Sequence, residues 1–334
     1  MCNLSSRQSN SARRQIAKRL GAASRILVVT HARPDPDCLG SMVALAGAAR
    51  DAGKTARMFI PDAIPDRYRF IFPQELPCTT ASSFDAMADQ ADVIVIVDTC
   101  AFAQLDDLEQ AIKRRKGQIV VLDHHATHDD VGAVQWIDTT AAASGIMAGE
   151  LLEEIPWPIS LATAQALLMA TASDTGWFRF ANTDARCLRA AAKWLDAGVK
   201  ADELYRRLNQ TDRPERLALT AKMLQSLQLY NQGRLALMVI RKGDFEATGA
   251  APDETENLVN EPLRIGSVEA VVLLVENEGQ VRASLRSREL VDVAQIARQF
   301  GGGGHARASG LRSTKPLDTL KKELLQAFAA CFGS

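Results

Sequence analysis

The 334-residue sequence predicts an α/β protein with a parallel-sheet domain carrying helices on both faces at residues 13–190, a helical linker at 191–228, and a smaller α/β domain with a mixed sheet at 229–334. Three observations carry that expectation. The chain is longer than one hydrophobic core usually organises, so each half is expected to bury its own. Three apolar, β-branched runs in the first half each end in a polar cluster and alternate with helix-like stretches, the signature of a parallel sheet covered on both sides. Past about residue 228 the pattern changes to strand-like runs closed by a terminal helix.

The first run is RILVVT (Arg25 to Thr30), followed by the polar HARPDPD and a helix-like stretch from Leu39 to Ala52. The second, DVIVIVD (Asp92 to Asp98), ends in an aspartate, and the third, QIVVLDHH (Gln118 to His125), ends in an acid and two histidines. An alanine- and leucine-rich stretch from Leu161 to Ala172 reads as a buried helix and leads into SDTGWFRF, and a helical region runs from Thr183 to about Leu227. The strands expected beyond it are LALMVI (Leu235 to Ile240), VEAVVLLVE (Val268 to Glu276) and QVRASLRS (Gln280 to Ser287), with a closing helix from Pro316 to Phe332. Ligands of parallel sheets gather at the carboxyl ends of the strands, where all three polar clusters of the first half fall.

Composition excludes several classes. A formal net charge of -1 argues against gripping long duplex nucleic acid, which needs a basic face. Aromatic content of 5% argues against a long stacking platform for single strands. The six cysteines are scattered without a C-x-x-C pair, so no disulfide framework or zinc knuckle is expected, and a reducing cytoplasm fits. Met1 to Leu20 lacks the apolar run of a secretory signal, and no stretch approaches the roughly 20 apolar residues that span a bilayer. A soluble cytoplasmic protein without membrane contact is therefore expected.

The chemistry concentrates in four segments. His31, Asp35 and Asp37 form H-x-x-x-D-x-D just after a strand; Asp98 ends a second strand; Asp123, His124 and His125 end a third; Asp174 follows a buried helix. Asp98 or Asp174 alone would read as a cap or turn residue. Together with the rest they supply four carboxylates (Asp35, Asp37, Asp98, Asp174), enough to offset two divalent cations, and two imidazoles (His31, His124) that favour manganese or a similar transition ion over calcium. Such a pair can hold a bridging hydroxide as nucleophile and clamp a phosphoryl group for in-line attack. In the second domain, GGGGHARASG (Gly301 to Gly310) brings backbone amides near an anion at Gly302, Gly303 and Gly304, with His305 adding a donor, and Arg286 and Arg288 share a strand face suited to phosphate. Trp177, Phe178 and Phe180 read as packing beneath the site rather than as a base-stacking surface, and Cys38 and Cys100 as small packing residues.

The ordered set H-x-R-P-D-x-D-x-x-G-S (His31 to Ser41), Asp98, Asp123-His124-His125, Asp174-Thr175-Gly176 and the terminal GGGGHARASG resembles the DHH phosphoesterases that carry the DHH-associated domain. Within them it looks most like the nucleases of short oligoribonucleotides that also dephosphorylate 3'-phosphoadenosine 5'-phosphate, over nearly the whole chain. The resemblance implies two divalent cations, manganese first with magnesium or cobalt as alternatives. His31, Asp35 and Asp98 would hold one, and Asp37, Asp98, His124 and Asp174 the other, with Asp98 bridging. It also implies that Asp123 orients the neighbouring imidazole while His125 faces the substrate phosphate. Arg286, Arg288 and His305 would bind the far phosphate or nucleotide across a cleft, which Asn260 and Arg264 would also line. Expected partners are short single-stranded RNA or small nucleotides and, by analogy, a second copy in a homodimer. The competing readings are a cyclic di-AMP or linear dinucleotide phosphodiesterase, a manganese pyrophosphatase, disfavoured by GGGGH, and a nucleotide-binding regulator without turnover.

Overall fold

The computed structural model describes residues 2–72, 78–79, 84–277 and 279–332. The chain divides into two compact units, Met1–Thr211 and Asp212–Ser334. The division falls inside the segment expected as a linker, whose helices are shared between the units.

Unit 1 is built on six strands: β1 (Arg25–Val29), β2 (Thr55–Phe59), β3 (Cys78–Thr79), β4 (Val93–Val97), β5 (Ile119–Asp123) and β6 (Val134–Ile137). All pair in parallel, in the order β3-β2-β1-β4-β5-β6. Its helices are α1 (Cys2–Ala22), α2 (Pro36–Asp51), α3 (Phe84–Asp89), α4 (Glu109–Arg114), α5 (Ser144–Glu154), α6 (Leu161–Asp174), α7 (Ala185–Asp196) and α8 (Ala201–Asn209). Side chains alternate across a strand, so Val28, Val95, Val97 and Leu122 pack against α2, α5 and α6, while Val29, Ile94, Ile96 and Val121 pack against α3 and α4. Both faces are therefore buried, which is why these strands read as unbroken apolar runs. The strand order reverses between β1 and β4, and loops leaving the two strands there diverge to opposite sides and open a crevice at their carboxyl ends.

Three strands of unit 1, β2, β3 and β6, were not visible in the sequence. In β2 the exposed Thr55 and Arg57 interrupt the apolar run, and in β6 Gln135 does. Their pairing with β1 and β5 imposes the strand that composition alone does not announce.

Unit 2 holds α9 (Pro214–Gln225), β7 (Gln228–Tyr230), β8 (Leu235–Ile240), α10 (Lys242–Thr248), β9 (Ala270–Asn277), β10 (Gln280–Ser287), α11 (Val293–Gln299), β11 (Gly303–His305), β12 (Ala308–Ser313) and α12 (Leu317–Phe332). Its sheet runs β11-β12-β10-β9-β8-β7, with only the β8–β9 pair parallel, so the expected mixed sheet is present. One face packs on α11 and α12 through Leu285, Leu311, Leu320 and Leu324. The other packs on α9 and a 3-10 segment (Leu258–Arg264) through Leu219, Met238 and Leu273. Among the described residues, no helix is long and apolar enough to cross a membrane.

Candidate metal centre

The three strand-end clusters meet at the reversal point of the unit 1 sheet. β1 delivers His31, whose Nδ1 is hydrogen-bonded to the Ala32 carbonyl at 2.8 Å, so that Nε2 faces Asp98 Oδ2 at 3.4 Å. Asp35 is the N-cap of α2, accepting from the amides of Asp37 (3.0 Å) and Cys38 (3.1 Å), with Pro36 following in the first turn. The carboxylate expected as a ligand is thus also what starts the helix, and the cap fixes where Asp37 points.

Asp98 follows β4 with φ +63, a left-handed conformation unusual for any residue but glycine. Strain of that kind costs on the order of 1–3 kcal/mol. It is held by the Asp98 amide donating to the Leu122 carbonyl at 2.9 Å, across to β5. The turn places the Asp98 carboxylate, 2% exposed, between the histidines of the neighbouring strands.

From the end of β5, His124 has its Nδ1 on the Ala141 carbonyl at 3.2 Å. Its Nε2 lies 3.4 Å from Asp98 Oδ1, 3.4 Å from Asp174 Oδ2 and 3.7 Å from Asp37 Oδ2. Both histidines therefore carry one ring nitrogen tied to backbone and aim the other at carboxylates, the arrangement in which second-sphere bonds fix a ligand's tautomer. His125 bonds Asp123 Oδ1 through Nδ1 at 2.7 Å, so the fully buried Asp123 orients His125 rather than His124. Asp174 closes α6, where Asn182 Nδ2 donates to its carbonyl.

The potential of this cluster is strongly negative. Burial followed by the charge of Asp98 pushes Asp174 up to about 7, and burial with Asp98 and Asp174 pushes Asp37 well above the carboxylate range. Burial and Asp98 also raise Asp35. Burial alone would lower His31 and His124, yet the hydrogen bond to Asp98 and the surrounding carboxylates overcome it and hold them at about 12 and about 10. Burial likewise opposes ionisation of Asp98, but His124 and His31 pull it below its ordinary value. Protons crowd where positive charge is wanted, as expected of a donor set shaped for cations. Ligand atoms fall into three groups, each within 4.8 Å: His31, Asp35, Cys38 and Asp98; Asp98, His124 and His125; Asp37, His124 and Asp174. The donors fit two cations sharing Asp98.

Sequence reasoning missed the groups that hold the ligands. The first amides of α5 donate to Asp37, Ser144 to Oδ2 at 2.7 Å and Gly145 to Oδ1 at 2.9 Å, and the Ser144 hydroxyl donates to Asp98 Oδ1 at 2.9 Å. α5 reaches this position because small residues let helices close: a Cβ on Gly145 would lie 2.5 Å from Ala170 Cβ, and one on Gly40 would lie 2.4 Å from the Ala166 carbonyl. The run A-A-A-S-G (Ala141 to Gly145) was the available signal, since a string of small residues before a helix marks close approach. Cys38 was taken as packing, and its thiol is indeed buried, but it also joins the first ligand group. Burial and Asp35 keep that thiol's pKa raised to about 12. Trp177 and Phe178 pack partly buried on the unit 1 core, whereas Phe180 is exposed over Gly176.

In unit 2 the expected clamp divides. Arg286, half-buried on β10, is held below the usual guanidinium range by burial and meets the Leu285 carbonyl at 3.0 Å. Arg288 directly follows β10, its amide continuing the ladder to the Glu269 carbonyl at 2.9 Å, and its guanidinium donates to the carbonyls of Leu263, Ile265 (3.1 Å) and Gly266 (3.0 Å). These bonds brace the turn after the 3-10 segment, a role beside the expected one toward a phosphate. That segment contains Asn260, Pro262 and Arg264; Arg264 is exposed, 3.6 Å from Glu261. The glycines are not a loop but the edge strand of a hairpin. Gly302 and Gly304 are required by packing, since a Cβ would lie 2.3 Å from the Gly310 carbonyl and 2.6 Å from that of Ala308, while Gly303 faces open space. The His305 backbone pairs with Ala308, and its side chain lies outside the described residues.

Residues 25–171 match the DHH family, N-terminal domain, and residues 234–334 match the DHHA1 domain. The chain is 31% identical over 287 residues to the "Bifunctional oligoribonuclease and PAP phosphatase NrnA" of Thermus thermophilus, covering 85% of this chain and 83% of that one. It belongs to the DHH family. A second DHH relative of the same name, from Bacillus subtilis, is 26% identical over 321 residues, covering 92% of this chain and 98% of that one. The crystal structure of an exopolyphosphatase-related protein from Bacteroides fragilis shares the DHH fold, with a TM-score of 0.89 at 23% identity over 97% of this chain and 96% of that one.

Proposed function

We propose that this DHH protein is a divalent-cation-dependent phosphoesterase that hydrolyses short oligoribonucleotides and 3'-phosphoadenosine 5'-phosphate. The observation that carries the reading is the convergence of four aspartates and two imidazoles, drawn from four separate segments, on a single buried point at the sheet's reversal. The similarity to proteins named for both activities supports the choice of substrates. His31, Asp35 and Asp98 would hold one cation and Asp37, Asp98, His124 and Asp174 the other, with manganese the expected ion.

Bound there, two cations would neutralise a phosphoryl group and acidify a water molecule. The chain's own groups do the rest. Asp98, which lies in two of the three ligand groups and accepts from the Ser144 hydroxyl, would stand between the two positions. His125 has its orientation set by Asp123, and that hydrogen bond raises its pKa against the lowering effect of burial, which suits it to give a proton to a phosphate oxygen. Within unit 2, Arg286 and the open Gly303 would offer donors to a phosphate.

The test is a panel of di- to pentaribonucleotides, 3'-phosphoadenosine 5'-phosphate, cyclic di-AMP and pyrophosphate, assayed with manganese and with magnesium, on wild type and Asp98→Ala. Hydrolysis of the first two classes, lost in Asp98→Ala with the thermal transition retained, is expected. Preferential cleavage of cyclic di-AMP would replace the substrate assignment, and wild-type rates in Asp98→Ala would defeat the ligand assignment.

A further inference from the structure

We propose that Cys38 is a sulfur ligand of the first cation position, which makes that position selective for thiophilic divalent ions while its neighbour stays a site for harder ones. The inference rests on the metal-centre reading and deepens it.

The two positions differ in their donors. Around the first, the ligand atoms within 4.8 Å of one another are a histidine nitrogen, two carboxylate oxygens and the Cys38 sulfur. Around the second, Asp37, His124 and Asp174 offer one nitrogen and oxygens only. Four donors including a thiolate suit zinc, cobalt or cadmium in tetrahedral geometry, whereas carboxylate-rich sets suit magnesium and manganese. His31, Asp35 and Cys38 come from one loop and helix start, and Asp98 from the adjacent strand, so no large movement is needed to bring the sulfur into the set.

Cys38 has two blander roles, and each predicts a different substitution to be harmless. Its Sγ accepts from the Asp35 amide and donates to the Asp35 carbonyl, both at 3.3 Å, closing the first turn of α2. Serine would serve that purpose. It also packs in the unit 1 core, where alanine would nearly serve. Only ligation requires sulfur. When the cation binds, the thiol proton leaves to solvent as a sulfur lone pair enters the metal bond, and no oxidant or reductant takes part.

The full chain, with Cys2 and Cys331 changed to serine, is stripped of metal and titrated anaerobically with Cd2+ and with Co2+. Sulfur-to-metal charge-transfer absorption saturating at one equivalent is expected. It should be absent in Cys38→Ser and Cys38→Ala and retained in Cys100→Ser. The Cd2+ to Mn2+ affinity ratio should fall about tenfold or more in Cys38→Ser, the scale of losing a group that supports a metal site. Should the Cys38 variants fail to fold, cadmium-113 NMR of the Cd2+-loaded protein decides alone: one resonance shifted by sulfur supports the proposal, and resonances all in the nitrogen and oxygen range overturn it. Two equivalents bound without a sulfur signature would overturn only the role of Cys38. Absence of any cation binding would overturn the metal centre with it.

Discussion

Substituting alanine for Gly145 tests whether the approach of α5 to α6 is what sets up the metal centre. The added Cβ would lie 2.5 Å from Ala170 Cβ, 3.1 Å from Thr171 Oγ1 and 3.2 Å from the Leu167 carbonyl. Carbon atoms settle at about 3.5–4.0 Å, so the helices must part by about 1 Å or more. Overpacking on this scale costs about 1–3 kcal/mol. At about 2–4 °C per kcal/mol for a unit of this size, the melting temperature should fall by about 2–12 °C. The same displacement lengthens the hydrogen bonds from the Ser144 and Gly145 amides to Asp37, now 2.7 and 2.9 Å, by about 1 Å, beyond hydrogen-bonding range. Loss of such supporting bonds weakens metal sites by about 10–100-fold. Thermal unfolding and calorimetric titration of Mn2+ into metal-free protein measure the two effects. Gly21→Ala is the control, since no atom lies within 4 Å of its Cβ, and a helical alanine there should be neutral or stabilising by up to about 1 kcal/mol. If Gly145→Ala melted and bound Mn2+ like wild type, the helix contact would not be what positions Asp37.

Other substitutions separate structural from substrate-facing groups. Arg288→Ala should lower unit 2 stability by about 1 kcal/mol, because three carbonyls lose a charged donor at an exposed turn, and leave KM for nucleotides unchanged. Arg286→Ala should instead raise KM about tenfold with the transition temperature preserved, and a reversed pair of results would restore the two-arginine clamp. Gly302→Ala should disrupt the β11–β12 hairpin and be detected by hydrogen exchange at Gly310 and Leu311, whereas Gly303→Ala should fold normally. Burial would raise the Asp138 pKa, but Thr140 and Arg186 lower it below its ordinary value. That stabilisation is complete above the ordinary aspartate value of about 3.9 and fades as pH falls through the lower folded value. Asp138→Asn should thus melt below wild type at pH 7, with the gap closing in acid; a gap that widened in acid would contradict the sign.

The strands that carry ligands were the legible ones for a physical reason. A central parallel strand is apolar on both faces along most of its length and meets its first acid only at its last residue or just beyond, as Asp123 and Asp98 do, so an aspartate or histidine there is conspicuous. RILVVT, DVIVIVD and QIVVLDHH all have this form, and the structure brings their ends together. Among the strands that escaped notice, β2 and β6 carry polar residues on a less protected face, as Arg57 and Gln135 show, and owe their conformation to pairing rather than to composition.

What holds the ligands in place could not be read in the same way, because it is made of groups every residue possesses. Asp37 is fixed by backbone amides, His31 and His124 by backbone carbonyls, and Asp98 by an amide bond that sustains its left-handed turn. Residue type enters through the Ser144 hydroxyl on Asp98, the Asp123 carboxylate on His125, and what must be missing, a Cβ at Gly40 and Gly145. The carbonyl partners of Arg288 were hidden for a related reason, since they too are backbone groups. Counting by two from Arg286 puts Arg288 on the same face, and its amide does extend the ladder to the Glu269 carbonyl, yet its guanidinium turns onto the carbonyls of Leu263, Ile265 and Gly266. Alternation thus specifies the face from which a side chain sets out, not the groups that a long, flexible one reaches.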